Sequence, residues 1–210
     1  MPDQVRFTET MRGWLAPYAG QTHEAADAQG ALEDRRSGAS VADSYFILTV
    51  VTPDVVAMVA DPDRRSPAFG CVVIPRIEPR PLRVVDGWLD LFVDAAPGVV
   101  QMRYGLKLSG ETGRYYLRGV KEIVRQGWFP TVFRDTTTLF VDVFDGDEPA
   151  GTPRLRGVIR MGVGGVTAQG LTFRGEGGLL GLSAIARFAR YYVGRVLTVY
   201  LGPRGKPLRT

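Results

Sequence analysis

From Leu82 to Phe173 the chain runs through a near-continuous series of segments in which apolar and polar residues alternate. Val100, Met102, Tyr104, Leu106 and Leu108 share one face of the stretch Gly98–Leu108. Thr137–Val143 repeats the pattern, and Arg114–Ile123 follows it more weakly. Strict alternation marks a strand with one face on a core. The pattern predicts strands near 68–74, 82–93, 98–109, 113–125, 133–144, 153–163 and 166–174. Ahead of these, Val5, Phe7, Glu9, Met11, Gly13 and Leu15 alternate as a first strand, and Ser44–Val51 is rich in strand-forming residues. The breaks carry turn chemistry: Ala96–Gly98, Ser109–Gly113, Asp145–Pro149 and Gly162–Gly165. Breaks this short join antiparallel neighbours, because a parallel crossover needs a dozen residues or more.

Three segments depart from the alternation. The stretch 21–40 is rich in Ala, Asp, Glu and Gly, and reads as a polar loop or a short solvated helix. Pro53–Ala60 suits one or two helical turns, with Thr52 as the cap and Pro53 in the first turn. Near the end the period changes to that of a helix over about 182–201. Leu182, Ile185, Phe188, Ala189, Tyr192, Val196 and Val199 fall together, and Gly202 and Pro203 stop it. The whole, 1–210, reads as one domain large enough to bury a sizeable core.

These elements predict a mainly β fold: an antiparallel meander of about eight strands forming a lipocalin-like barrel, with the terminal helix against it. A two-sheet sandwich is the alternative. Inside the barrel the ligand-facing residues would be Met102, Tyr104, Leu106, Tyr115, Leu117, Phe140 and Phe144, or their strand neighbours if the parity is reversed.

Charge changes this picture little. The net charge is +4 and almost all cations are arginine, with lysine only at Lys107, Lys121 and Lys206. The arginines are scattered among 22 carboxylates, which is no basic stripe for nucleic acid. A single cysteine, Cys71, excludes an internal disulfide and a multi-cysteine zinc site, and its apolar run reads as a buried strand. No run of about twenty apolar residues is present, and residues 1–10 lack the pattern of a signal peptide. A cytoplasmic location is the expectation.

Candidate chemistry is sparse. The one histidine, His23, sits among polar residues and reads as a surface side chain. Without histidine or cysteine partners there is no transition-metal set. Gly162–Val166 is followed by strand-like sequence, so it reads as a hairpin turn and not as a dinucleotide loop. Asp86, Asp90, Glu122 and Asp142 lie inside predicted strands, with Arg83, Arg103, Arg118, Arg156 and Arg160 as partners. They read as outward charges on a solvated sheet; if inward, they would orient a polar headgroup or an enolising substrate. Trp88, Phe92, Tyr104, Tyr115, Tyr116, Trp128, Phe140 and Phe144 suit either an apolar cavity or an ordinary core. The arginines of the last helix and the basic stretch after it raise a membrane-surface reading, but internal packing of its apolar face is expected.

Five phrases together resemble a known accessory domain: Arg6–Trp14, Gly70–Pro75, Pro81–Phe92, Tyr115–Lys121 and Asp135–Val141. It is associated in large bacterial proteins with cholesterol-oxidase-like flavin oxidoreductases of the glucose–methanol–choline class, sometimes with an α/β-hydrolase. The oxidoreductase part, with its nucleotide-binding glycine loop, is not in this chain, so neither a flavin nor an oxidase activity carries over. The resemblance implies a setting in lipid or sterol metabolism and brings no catalytic residues. Three functions follow as expectations. The first is a cofactor-free, non-catalytic binding domain for a lipid, sterol or isoprenoid. The second is an interaction module docking on a partner oxidoreductase or hydrolase. The third is a barrel cyclase or isomerase working with buried carboxylate, Tyr and Arg.

Overall fold

The computed structural model describes residues 4–36, 38, 42–124, 137–161, 172, 174–175 and 179–201. Eight strands follow one another around the sheet: β1 (Val5–Pro17), β2 (Ser44–Thr52), β3 (Arg65–Val73), β4 (Leu82–Ala96), β5 (Val99–Ser109), β6 (Arg114–Val124), β7 (Thr138–Asp145) and β8 (Leu155–Arg160). Every pairing is antiparallel. β1 closes the ring because its length lets it serve two neighbours. Val5–Gly13 pairs with β2, and Arg12–Pro17 pairs with β8. A short β9 (Arg174–Gly175) adds to the start of β1. The barrel with a C-terminal helix is therefore the fold, and the sandwich is not. Closure leaves no long unpaired edge among these eight strands.

The inward face follows from the register. Val5, Phe7, Met11 and Leu15 of β1 meet Phe46, Leu48 and Val50 of β2 and Ile159 of β8 in one core. Leu139, Val141 and Val143 of β7 complete it against Leu117 of β6.

Of the two readings of 21–40, polar loop or solvated helix, the structure has the helix, α1 (His23–Arg36). It lacks a strong apolar face, lies over the outer wall at β1 and β8, and takes ion pairs from β8 and from the connection between β3 and β4. Arg76 reaches Glu33 at 2.8 Å and Asp34 at 3.0 Å, and Arg160 reaches Asp27 at 2.9 Å. Gly30 permits the approach, since a Cβ there would stand 3.0 Å from that of Trp14.

Helix α2 (Val55–Ala60) starts two residues later than the sequence suggests, and its cap is Asp54 instead of Thr52. The Asp54 carboxylate accepts from the amides of Val56 and Ala57 at 2.8 and 3.0 Å. The Thr52 hydroxyl is engaged elsewhere, in a buried hydrogen bond with Ser66 at 2.9 Å. Asp54→Ala should lower stability by about 1 kcal/mol, read as a shift in the urea midpoint at unchanged slope.

Helix α3 (Leu179–Leu201) closes one end of the barrel. Phe188 lies against the inward-facing Phe7 with ring centroids 5.9 Å apart, and Ala184 joins the same core. The seat is an irregular stretch of β4, where Phe92 takes a left-handed φ of 55°, rare for a bulky residue. That conformation exposes its carbonyl to Arg64 and to Arg195 of α3, each donating at 2.9 Å. The Phe92 ring packs edge-on against Tyr192 at 4.7 Å and Tyr191 at 6.0 Å, and the Tyr191 hydroxyl donates to the Leu91 carbonyl at 3.2 Å.

Candidate functional site

One polar cluster spans the apolar interior. Glu9 of β1 faces inward between Phe7 and Met11, and only 1% of it is exposed. Across the barrel, Tyr104 of β5 and Lys121 of β6 also face inward, 1% and 2% exposed. The Lys121 Nζ lies 2.5 Å from Glu9 Oε1, and the Tyr104 hydroxyl donates to the same carboxylate at 3.1–3.2 Å. Lys121 also sits 5.2 Å from the centre of the Tyr104 ring, and Phe46 packs on that ring at 6.1 Å. β1 and β5 are half a turn apart in the strand order, so the cluster ties opposite walls together.

The environment tunes the phenols. Burial, reinforced by the Glu9 charge, pushes the Tyr104 hydroxyl well above the ordinary tyrosine value. The same two causes, burial first, raise Tyr192 of α3. Both phenols are therefore neutral hydrogen-bond donors at physiological pH. The terminal helix thus brings a second tyrosine into the field of the buried carboxylate.

The expected ligand-facing set divides in two. Met102, Tyr104, Leu106, Tyr115 and Leu117 point into the barrel and belong to its core. Phe140 and Phe144 have the opposite parity: Leu139, Val141 and Val143 take the inward positions of β7. Phe140 instead meets His23 edge-on at 5.6 Å, and Phe144 lies under Arg118 at 5.2 Å. A polar residue decides this, since Asp142 between them is held on the outer wall. Of the other aromatics, Trp88 and Tyr116 are on the outside and Trp128 lies outside the described residues, as do Gly162–Val166 and most of the strand expected at 166–174.

The strand carboxylates named from sequence all find outer partners. Asp90 takes a bidentate contact from Arg65 at 2.7 and 2.9 Å, Asp86 pairs with Lys107 at 3.1 Å, and Glu122 accepts from Gln101 at 2.9 Å. They are less solvated than expected, because Asp90, Glu122 and Asp142 are buried. His23 is likewise no free surface side chain. Its Nε2 lies 3.3 Å from Asp142 Oδ1, where α1 covers the sheet. Cys71 is a half-buried free thiol on the outer face, paired across strands with the exposed Ile47, and not a core residue.

Outside the barrel, β3 to β6 frame a groove of about 630 Å³, lined by Arg65, Phe69, Val85, Trp88, Lys107 and Tyr116 among others. The Arg65 guanidinium lies 4.0 Å above the Trp88 ring. None of the expected ligand-facing residues borders this groove.

Glu9 and Lys121 are the residues that sequence reasoning passed over. Glu9 was visible as the one charge in the apolar row Val5, Phe7, Met11, Leu15, and Lys121 has the parity of Tyr115 and Leu117. Their pairing was not visible, because 112 residues separate them. Both lie in phrases that carry the resemblance to the accessory domain, Arg6–Trp14 and Tyr115–Lys121. Comparison of the chain with protein-family models, with curated proteins and with solved structures finds no match.

Proposed function

We propose that the protein is a non-catalytic binding domain for an apolar small molecule of the lipid, sterol or isoprenoid class, with α3 as a displaceable plug. The observation that carries this reading is the Glu9–Tyr104–Lys121 cluster in a largely apolar barrel. A buried ion pair is weak as a stabilising device, because desolvation offsets most of its Coulombic gain. It is well suited to recognition: an oxygen-bearing head, a hydroxyl or carbonyl, finds donors and an acceptor among largely apolar side chains.

Among the described residues the inner walls are tightly packed, since Tyr104, Leu106 and Leu117 are 0–1% exposed and opposite walls touch through Glu9. Ligand would therefore replace side chains of α3. Phe188 and Tyr192, which sit on Phe7 and Phe92, are the groups whose withdrawal opens a path to Glu9. The setting in lipid metabolism implied by the sequence resemblance agrees with an apolar ligand and with an enzyme partner that supplies or consumes it.

A second reading, a barrel cyclase or isomerase with Glu9 moving a proton, draws on the same carboxylate placed beside a cation. The two readings separate on what is recovered. Native mass spectrometry of the purified protein, followed by organic extraction, should show one lipid or isoprenoid at near-stoichiometric amount, and an added equivalent should be recovered unchanged. A bare protein mass that persists after incubation with sterols, fatty acids and polyprenols would refute the binding reading. Conversion of the added molecule would establish the catalytic one.

A further inference from the structure

We infer that the outer face of α3 is a docking surface for an anionic lipid bilayer. The sequence suggested one apolar face on the terminal helix, and the structure has two. Ala184 and Phe188 fill the barrel end, while Tyr191, Tyr192 and Val196 pack against the core beside them. On the opposite side Leu182, Ala186, Ala189, Val193 and Leu197 form a stripe at helical spacing, and every one is exposed. Leu182 is 63% exposed, Val193 54% and Leu197 44%. Isolated apolar residues on a surface need no explanation, but a five-residue stripe along one helix does.

Charge selects the occupant. Helix α3 contains Arg187, Arg190 and Arg195 and no carboxylate. Arg195 turns inward to Asp94 and the Phe92 carbonyl, and Arg190 is exposed beside the apolar stripe. An apolar stripe on a helix whose only charges are cations complements anionic headgroups over an acyl boundary. Among the described residues no helix is long and apolar enough to cross a membrane, so α3 would lie on the surface.

The test is co-sedimentation of the full chain, without added ligand, with phosphatidylcholine vesicles containing or lacking phosphatidylserine, at low and high salt. Its outcome is thus independent of whether the barrel binds anything. The wild type should bind the anionic vesicles at least about tenfold better than the neutral ones, and less at high salt. Val193→Glu and Arg190→Glu should each reduce that binding about tenfold or more, with thermal melting unchanged because both positions face solvent. Failure of the wild type to bind anionic vesicles would overturn the inference. So would unchanged binding by both variants, or a wild-type dimer in sedimentation velocity that Val193→Glu disperses, which would make the stripe an interface between copies.

Discussion

Lys121→Ala is expected to destabilise the barrel by about 3–5 kcal/mol, the range for leaving one member of a buried ion pair without its partner. Glu9, 1% exposed in the wild type, would be left with only the Tyr104 hydroxyl donating to it. For a chain of this size such a loss is a large share of the total stability. Glu9→Leu/Tyr104→Phe/Lys121→Met removes the whole cluster and strands no polar atom. It should melt within a few degrees of the wild type, because buried pairs replaced by apolar residues of similar volume are often neutral or stabilising. The single and the triple variant together isolate the purpose of the cluster. A folded triple variant from which no lipid can be extracted, beside a wild type that retains one, assigns the cluster to recognition. Equal ligand content in both assigns it to specifying the register of opposite walls. A triple variant as unstable as Lys121→Ala would show that the pair itself holds the barrel.

Asp142 should be the second most sensitive position, and pH should reveal it. Its carboxylate receives Arg118 at 2.8 Å, Arg156 at 2.7 Å and His23 at 3.3 Å. Burial pushes its pKa up, but hydrogen bonds from His23, Arg156 and Arg118 outweigh this and hold it well below the usual carboxylate range. Arg156 also donates to the Gln21 carbonyl at 3.0 Å, so this one carboxylate gathers β6, β8 and the start of α1. Asp142→Asn should cost about 2–3 kcal/mol at neutral pH, less than a fully buried pair because the Arg118 side chain reaches solvent.

The sign of the pH dependence follows from linkage. A depressed folded-state pKa adds stability above the unfolded value of about 4, and that stability is lost as pH falls through the folded value. Thermal melting of wild type and Asp142→Asn should therefore differ most at neutral pH and converge in acid. A gap of constant size from neutral pH to about pH 3 would mean that the ionised carboxylate is not what anchors α1.

The two sides of β7 show how much could be read in advance. Alternation over Thr137–Val143 located the strand, but it cannot say which half of the residues is inside. Phe140 and Phe144 are as apolar as Leu139, Val141 and Val143. Two arginines and a histidine, brought from β6, β8 and α1, keep Asp142 on the outside and its neighbours with it. Asp54 shows the same limit locally. Thr52 is also a cap former by composition, yet its hydroxyl is taken by Ser66 once β2 and β3 are in place.

What the sequence determined by itself was periodic or local: where the main strands lie, that short turns make them antiparallel, and that the last element is a helix. Such features depend on neighbours a few residues away, and side-chain period and turn chemistry encode them directly. Tertiary structure alone decided closure of the barrel through both halves of β1, the meeting of Glu9 with Lys121 and Tyr104, and the two apolar faces of α3. Each of those requires groups from distant parts of the chain to share one place, where the desolvation of a charge or the filling of a volume is settled by all the walls at once.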